Sequence, residues 1–193
     1  MNHRYGNRLV ILANRYVLAI GLGVLVGLAT PRIAGAQTNL IVDVSFELVE
    51  VSQPPHGWQM TKSQDGNSTL RGVEMPVKSG KRALLLQGRG SWMSANVSPM
   101  AINPANTYRA SAWIRVKVGH ARIQISYWTG QKWLGSSDGA QRVIEDKWQH
   151  VSVESDPNKF ANVTHLHIAI VSDGPDVEVY VDDVAMTSLD AKK

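Results

Sequence analysis

The chain has 193 residues and no cysteine. That excludes a disulfide framework, a thiolate metal centre and a thiol nucleophile. It has two Phe against six Trp, so indoles carry much of its aromatic surface. No segment shows a convincing helical period of apolar residues. The one long apolar run, Tyr16–Ala29, is short of the about 20 residues that a membrane-spanning helix needs. Gly88-Arg89-Gly90 lacks both the spacing and the following helix of a phosphate-binding loop.

The first residues are organised differently from the rest. Arg4, Arg8 and Arg15 precede the apolar run, and Ala34-Gly35-Ala36 follows it. A basic start, an apolar middle and a small-residue A-x-A end are the layout of a secretory signal peptide. Cleavage is expected after Ala36, with an uncleaved anchor as the competing reading. No Cys follows the run, so a lipoprotein is excluded. This leaves 37–193 as one exported domain, expected to be a monomer with no membrane span of its own. A cysteine-free exported domain points to a bacterial protein, secreted or periplasmic. Arg4, Arg8, Arg15 and Arg32 account for the excess of 20 basic over 16 acidic residues. The domain itself is balanced, so nucleic acid is not an expected partner. N-x-S/T matches at Asn67, Asn96 and Asn162 are short enough to arise by chance.

Beyond the leader, apolar residues recur with period two. Leu40, Val42, Val44, Phe46 and Leu48 alternate with Ile41, Asp43, Ser45 and Glu47. The same pattern runs through 108–118, 121–128, 151–153, 166–170 and 177–186. Turn residues separate these runs, among them Pro54-Pro55, Asp65-Gly66, Asn103-Pro104, Asp138-Gly139 and Asp173-Gly174-Pro175. Many short strands with such punctuation predict an all-β fold: two antiparallel sheets packed face to face as a β-sandwich or jelly roll.

The tryptophans then divide by context. Trp58 and Trp148 read as core or rim residues. Trp113 and Trp128 fall on the polar side of their strands by parity, and Trp92 and Trp133 sit in Gly/Ser-rich surroundings near turns. Outward indoles among hydrogen-bonding side chains suit a pyranose. Its C–H face stacks on the ring, and its hydroxyls need donors and acceptors close by. Arg89, Asn96, Arg115, Gln124, Ser126 and His167 are candidate suppliers. The bland alternative is that Trp128 and Trp133 cover one another across the Thr129–Lys132 hairpin.

The ordered set NLIVDVSFE (39–47), Gly57-Trp58, SGKRALLL (79–86), YRASAWIRV (108–116), KWQHVSVE (147–154) and VEVYVDDVAM (177–186) resembles the CenC-like carbohydrate-binding modules. These are families 4, 9 and 22 of the galactose-binding-domain-like jelly rolls. The resemblance implies a cleft on one sheet that binds a polysaccharide or oligosaccharide of xylan or β-glucan type. It assigns stacking roles to Trp92 and, after the hairpin, Trp133; Trp128, Gln124, Arg89, Asn96 and His167 are the further ligand contacts expected from the reading of the strand faces. It also implies a structural Ca²⁺, with Glu47 and Asp182 at two of its ligand positions. A third, usually acidic position is Ser79 here, a departure from the pattern.

Catalysis is not expected. A glycosidase needs two carboxylates facing one another across a cleft, one with a raised pKa. Glu74, Glu145, Asp146, Glu154, Asp156, Asp173 and Asp176 stand mostly in turns or beside Lys and Pro. His165 and His167 share a strand face but have no evident third ligand for a metal. A non-catalytic, secreted glycan-binding module is the leading expectation. The alternatives are a structural or adhesive envelope domain that has lost the glycan site, and a small hydrolase or lyase on the same scaffold.

Overall fold

Alternating sequences place one face of each strand in the core and the other outside, and the computed structural model is built from eleven such strands. It describes residues 39–41, 44–62, 67–90, 92–156 and 158–189. The expected leader, 1–36, lies outside them. In chain order the strands are β1 Trp58–Lys62, β2 Ser68–Val73, β3 Ala83–Arg89, β4 Met93–Val97, β5 Met100–Ala101 and β6 Thr107–Val118. They continue with β7 Arg122–Thr129, β8 Lys132–Asp138, β9 Gln149–Glu154, β10 His165–Ser172 and β11 Asp176–Leu189. Among the described residues there is no helix.

The strands form two antiparallel sheets. One has the order β1-β4-β10-β7-β8, with β5 also pairing β10; the other is β2-β3-β11-β6-β9. The fold is the β-sandwich that the alternation predicts. The inner faces meet through Leu84 and Leu86 of β3, Ile114 of β6, and Val179 and Val181 of β11. Across the interface stand Met93 and Ala95 of β4, Ile123 and Ile125 of β7, and Ile168 and Ile170 of β10, all fully buried. Each buried aliphatic side chain of this size contributes about 1.5–3 kcal/mol relative to exposure. A smaller apolar cluster of Val73, Ala83, Leu85 and Tyr180 lies apart from this core, with Val77 and Trp148 packed against it.

One expected strand is different. The alternating stretch 40–48 forms no strand among its described residues; it turns at 44–45 and again at 47–48. Asn39 bridges Thr187, and Val44 O accepts from Val184 N. Phe46 has a φ of 60°, and its fully buried ring packs tilted against Trp58 at 5.4 Å. A left-handed residue interrupts the extended chain, so the apolar alternation here serves anchoring and not pairing. Trp58 is buried and Trp148 half-buried, the packing roles expected of them.

At the β7–β8 hairpin the register slips between Tyr127 and Trp128, so that Trp128 pairs with Trp133. A bulge of this kind re-aims the side chains that follow it. Gly135 of β8, at a φ of 150°, lies under Phe160, which in turn packs against Tyr127 at 5.2 Å. A methyl group at Gly135 would collide with the Phe160 ring. Gly135→Ala should therefore destabilise the fold by about 1–3 kcal/mol, read as a lowered midpoint in thermal or urea denaturation.

Candidate functional site

The inner faces of β4, β7 and β10 are consumed by the core, so their alternate residues must face outward. The register aligns these in rows across the six-stranded sheet. Asn96 stands level with Ala169, Gln124 and Asp138. His167 is level with Ser126 and Ser136, and His165 with Trp128 and Trp133. Trp92 immediately precedes β4, at the end where Met93 pairs with Ser172. From the His165 row to the Ser172 row is roughly 23 Å along the strands. Trp92 and Trp133 thus occupy opposite ends of the face on different strands, and both are exposed, at 36% and 56%.

The ground between them is polar and partly pre-ordered. Asn96 Nδ2 donates to Ser94 Oγ at 2.9 Å and to Thr61 Oγ1 at 3.1 Å. Gln124 Nε2 donates to Asp138 Oδ1 at 2.6 Å, and Gln124 Oε1 accepts from Ser126 Oγ at 3.4 Å. Arg122, on the same face, lies between two carboxylates, with Nε 3.4 Å from Asp138 and Nη1 3.5 Å from Asp173. Asp173 also pairs with His120 and lies 3.8 Å from Arg142. Side chains held by neighbours lose less entropy when a ligand engages them.

Trp128 is half-buried, and its ring stacks on His167 at 5.0 Å with 30° between planes. Its Nε1 is buried without an acceptor among the described residues, so the N–H is not presented at the surface. Burial first, and the neighbouring His165 second, hold the His167 imidazole below its ordinary value of 6.5. The folded chain therefore favours the neutral ring. As pH falls from 6.5 towards the lowered value, the unfolded chain takes up a proton that the fold resists. Stability declines across that interval, and this group has no effect above it.

Of the residues singled out in the sequence, Trp92, Asn96, Gln124, Trp128, Trp133 and His167 belong to the six-stranded sheet or its margin. Arg89 does not. It ends β3 in the other sheet, pairs with Asp176 at 3.2 Å, and lines a cavity of about 680 Å³ with Asn67, Thr69, Gln87 and Glu178. Trp113 also faces away from Trp92, Trp128 and Trp133. Lys78 Nζ sits 4.2 Å over its ring and His150 lies against it at 5.2 Å. The polar groups of this second face are largely paired with one another. Tyr180 donates to Glu178, which also pairs with Lys117, and Arg115 pairs with Asp146. Burial, followed by the bond to Glu178, pushes the Tyr180 hydroxyl up to about 12. A second cavity of about 620 Å³ lies between β1 and β2, lined by Trp58, Met60, Leu70 and Arg71. Neither cavity is lined by Trp92, Trp128 or Trp133. Parity would have separated Trp113 from Trp128 only with the sheet order in hand. The pairing of Arg122 with Asp138 was not legible in the sequence, because ion pairs between strands leave no local pattern.

The two carboxylates that the resemblance assigns to calcium meet at the turn 78–82. Asp182 is fully buried. Its Oδ2 accepts from Lys78 N at 2.8 Å and Ser79 N at 3.1 Å, and its Oδ1 from Asp183 N at 2.8 Å. Glu47 Oε1 accepts from Lys81 N at 2.8 Å and Arg82 N at 3.1 Å. Arg82 Nη1 donates to the carbonyl oxygens of Glu47, at 3.4 Å, and Val49. A calcium ion gathers six to eight oxygens. Here the converging oxygens already face N–H groups, and a guanidinium stands among them. The residues present do not fit a divalent cation.

No known family profile matches the chain, and no curated protein does. Solved structures do. The CBM22-1 xylan-binding domain of Paenibacillus barcinonensis Xyn10C is 14% identical; the match covers 81% of this chain and 97% of that one, with a TM-score of 0.60. A family 16 carbohydrate-binding module is 18% identical over 77% and 99%, with a TM-score of 0.56. The carbohydrate-binding module TmCBM61, solved with β-1,4-galactotriose, is 14% identical over 79% and 99%, with a TM-score of 0.53. The chain has the jelly-roll fold of carbohydrate-binding modules.

The stacking of Trp128 on His167 makes a direct test of this geometry. Titration of the His167 ring by NMR should give an apparent pKa below 6.5. Trp128→Ala, by uncovering the ring, should move it back up.

Proposed function

We propose that the outer face of the six-stranded sheet binds a polysaccharide chain without cleaving it. Trp92 and Trp133 stack on sugar rings at its two ends. Asn96, Gln124 and His167 exchange hydrogen bonds with the hydroxyls between them, and the Trp128 ring widens the platform beside Trp133. The observation that carries this reading is the placement of two exposed indoles at opposite ends of one polar face. A pyranose presents apolar C–H faces and polar edges, and a surface of alternating indoles and amides matches both. The similar folds of the xylan-binding domain and the galactotriose-bound module support a glycan as the ligand class. A neutral β-linked chain of the xylan or β-glucan type suits a face whose charges are already paired, Arg122 with Asp138 and Asp173.

The same pairing argues against hydrolysis. Asp138 and Asp173 are both engaged by Arg122, whereas glycoside hydrolysis needs two carboxylates free to face one another across the bound sugar. Export to the periplasm or beyond would bring the domain to such polymers. An open, wet face yields modest affinity, because ordering costs and displaced water offset much of the contact energy.

Affinity gel electrophoresis and calorimetry with xylan, mixed-linkage β-glucan and galactan test the proposal. Trp92→Ala and Trp133→Ala should each weaken binding about tenfold or more, equivalent to roughly 1.4 kcal/mol or more, with little change in melting temperature because both rings are exposed. Trp113→Ala, on the other sheet, should leave binding unchanged. Retention by none of these polymers, or equal retention of all three variants, would defeat the reading.

A further inference from the structure

The turn 78–82 joins three parts of the chain that are distant in sequence. Glu47 belongs to the opening segment, Arg82 immediately precedes β3, and Asp182 and Asp183 lie in the middle of β11. At Asp182–Ala185 the pairing of β11 with β6 is interrupted by a register shift, and Asp183 has a φ of 48°. Two carboxylates therefore stand where the ladder cannot supply their neighbours with partners. The turn supplies them with its own N–H groups: Lys78 and Ser79 to Asp182, and Lys81 and Arg82 to Glu47. Ser79 Oγ completes the set by donating to Asp183 Oδ1 at 2.6 Å. An acidic residue at position 79 could not make that contact without repelling Asp183.

Gly80 and Arg82 close the arrangement. Gly80 has a φ of 60°, and a methyl group there would collide with Glu47 Oε1. Only glycine satisfies both the backbone and the close approach of the carboxylate. Arg82 reaches past Glu47 to the carbonyl oxygens of Glu47 and Val49. Those carbonyls flank the turn that buries Phe46 and Val49 in the core. A planar guanidinium with several donors can serve two carbonyls from one charge.

We infer that Arg82, with the backbone N–H groups of the turn 78–82, locks the opening segment onto the sandwich in place of a bound divalent cation, so that this domain folds and holds its shape independently of calcium. The resemblance implies a calcium at this junction, and Ser79 and Arg82 are the residues that replace it. The cation is built into the chain, where it resists both dilution and chelation.

Thermal melting of the full chain tests this. The wild type should melt at the same temperature after EDTA treatment as in millimolar calcium chloride, since a ion that bound the folded state would raise the midpoint. Calorimetric titration with calcium chloride should show no saturable heat. Arg82→Met should lower the midpoint by roughly 5 °C or more. Arg82→Lys, which keeps the charge but loses the fork, should fall between the two; it also provides the reading if Arg82→Met does not fold. A calcium-dependent rise in the wild type that EDTA reverses would overturn the inference. So would an Arg82→Lys or Arg82→Met variant as stable as the wild type.

Discussion

Burial of one face of each strand between the two sheets sets the direction of nearly everything else. Ile168 and Ile170 cannot leave the core without exposing large apolar side chains, and each such exposure costs about 1.5–3 kcal/mol. His165 and His167 are then forced outward, as are Gln124, Ser126 and Trp128 opposite them. The same constraint turns Trp113 outward on the other sheet, because Ala112 and Ile114 fill the interior beside it. Two sets of indoles thus arise from one rule, and the sheet to which each strand belongs separates them.

The two outer faces differ in what they leave available. On the five-stranded sheet, Lys78 lies over Trp113, Tyr180 is bound to Glu178 and Arg115 to Asp146. On the six-stranded sheet the ionic groups gather between Gln124 and the Trp92 end, while Trp133 keeps an open ring. The six-stranded face thus carries exposed rings beside its ion pairs, whereas the Trp113 ring of the other face is covered by Lys78. This contrast, more than cavity volume, sets the proposed binding face apart: neither of the two cavities described above is lined by Trp92 or Trp133.

The opening segment shows how a jelly roll is finished where strand pairing fails. The ladder of β11 is interrupted at Asp182, and the first described residues approach it through single bridges and carbonyl contacts instead of a full strand. Side-chain carboxylates, one glycine and one arginine take over the hydrogen bonding that the backbone gives up. Most buried polar groups in a fold find partners, and at this junction Asp182 finds them within the chain.

Period-two alternation was enough to establish the class of fold and strands β6, β7, β9, β10 and β11, because a half-buried strand cannot hide its parity. It misled at 40–48, where the left-handed turn at Phe46 depends on contacts with Trp58 and β11 that lie far away in sequence. Trp92 and Trp133 could be picked out from their Gly/Ser-rich, turn-flanked surroundings. Their membership of one face, and the exclusion of Arg89 and Trp113 from it, required the strand order, since residues on different sheets can share identical local patterns. The sequence by itself determined which side of each strand is apolar, because that depends only on neighbours one and two positions away. The tertiary structure alone decided which outward sides lie together and which charges find partners, because those depend on pairing between residues far apart in the sequence, such as Leu84 with Val181 and Asn39 with Thr187.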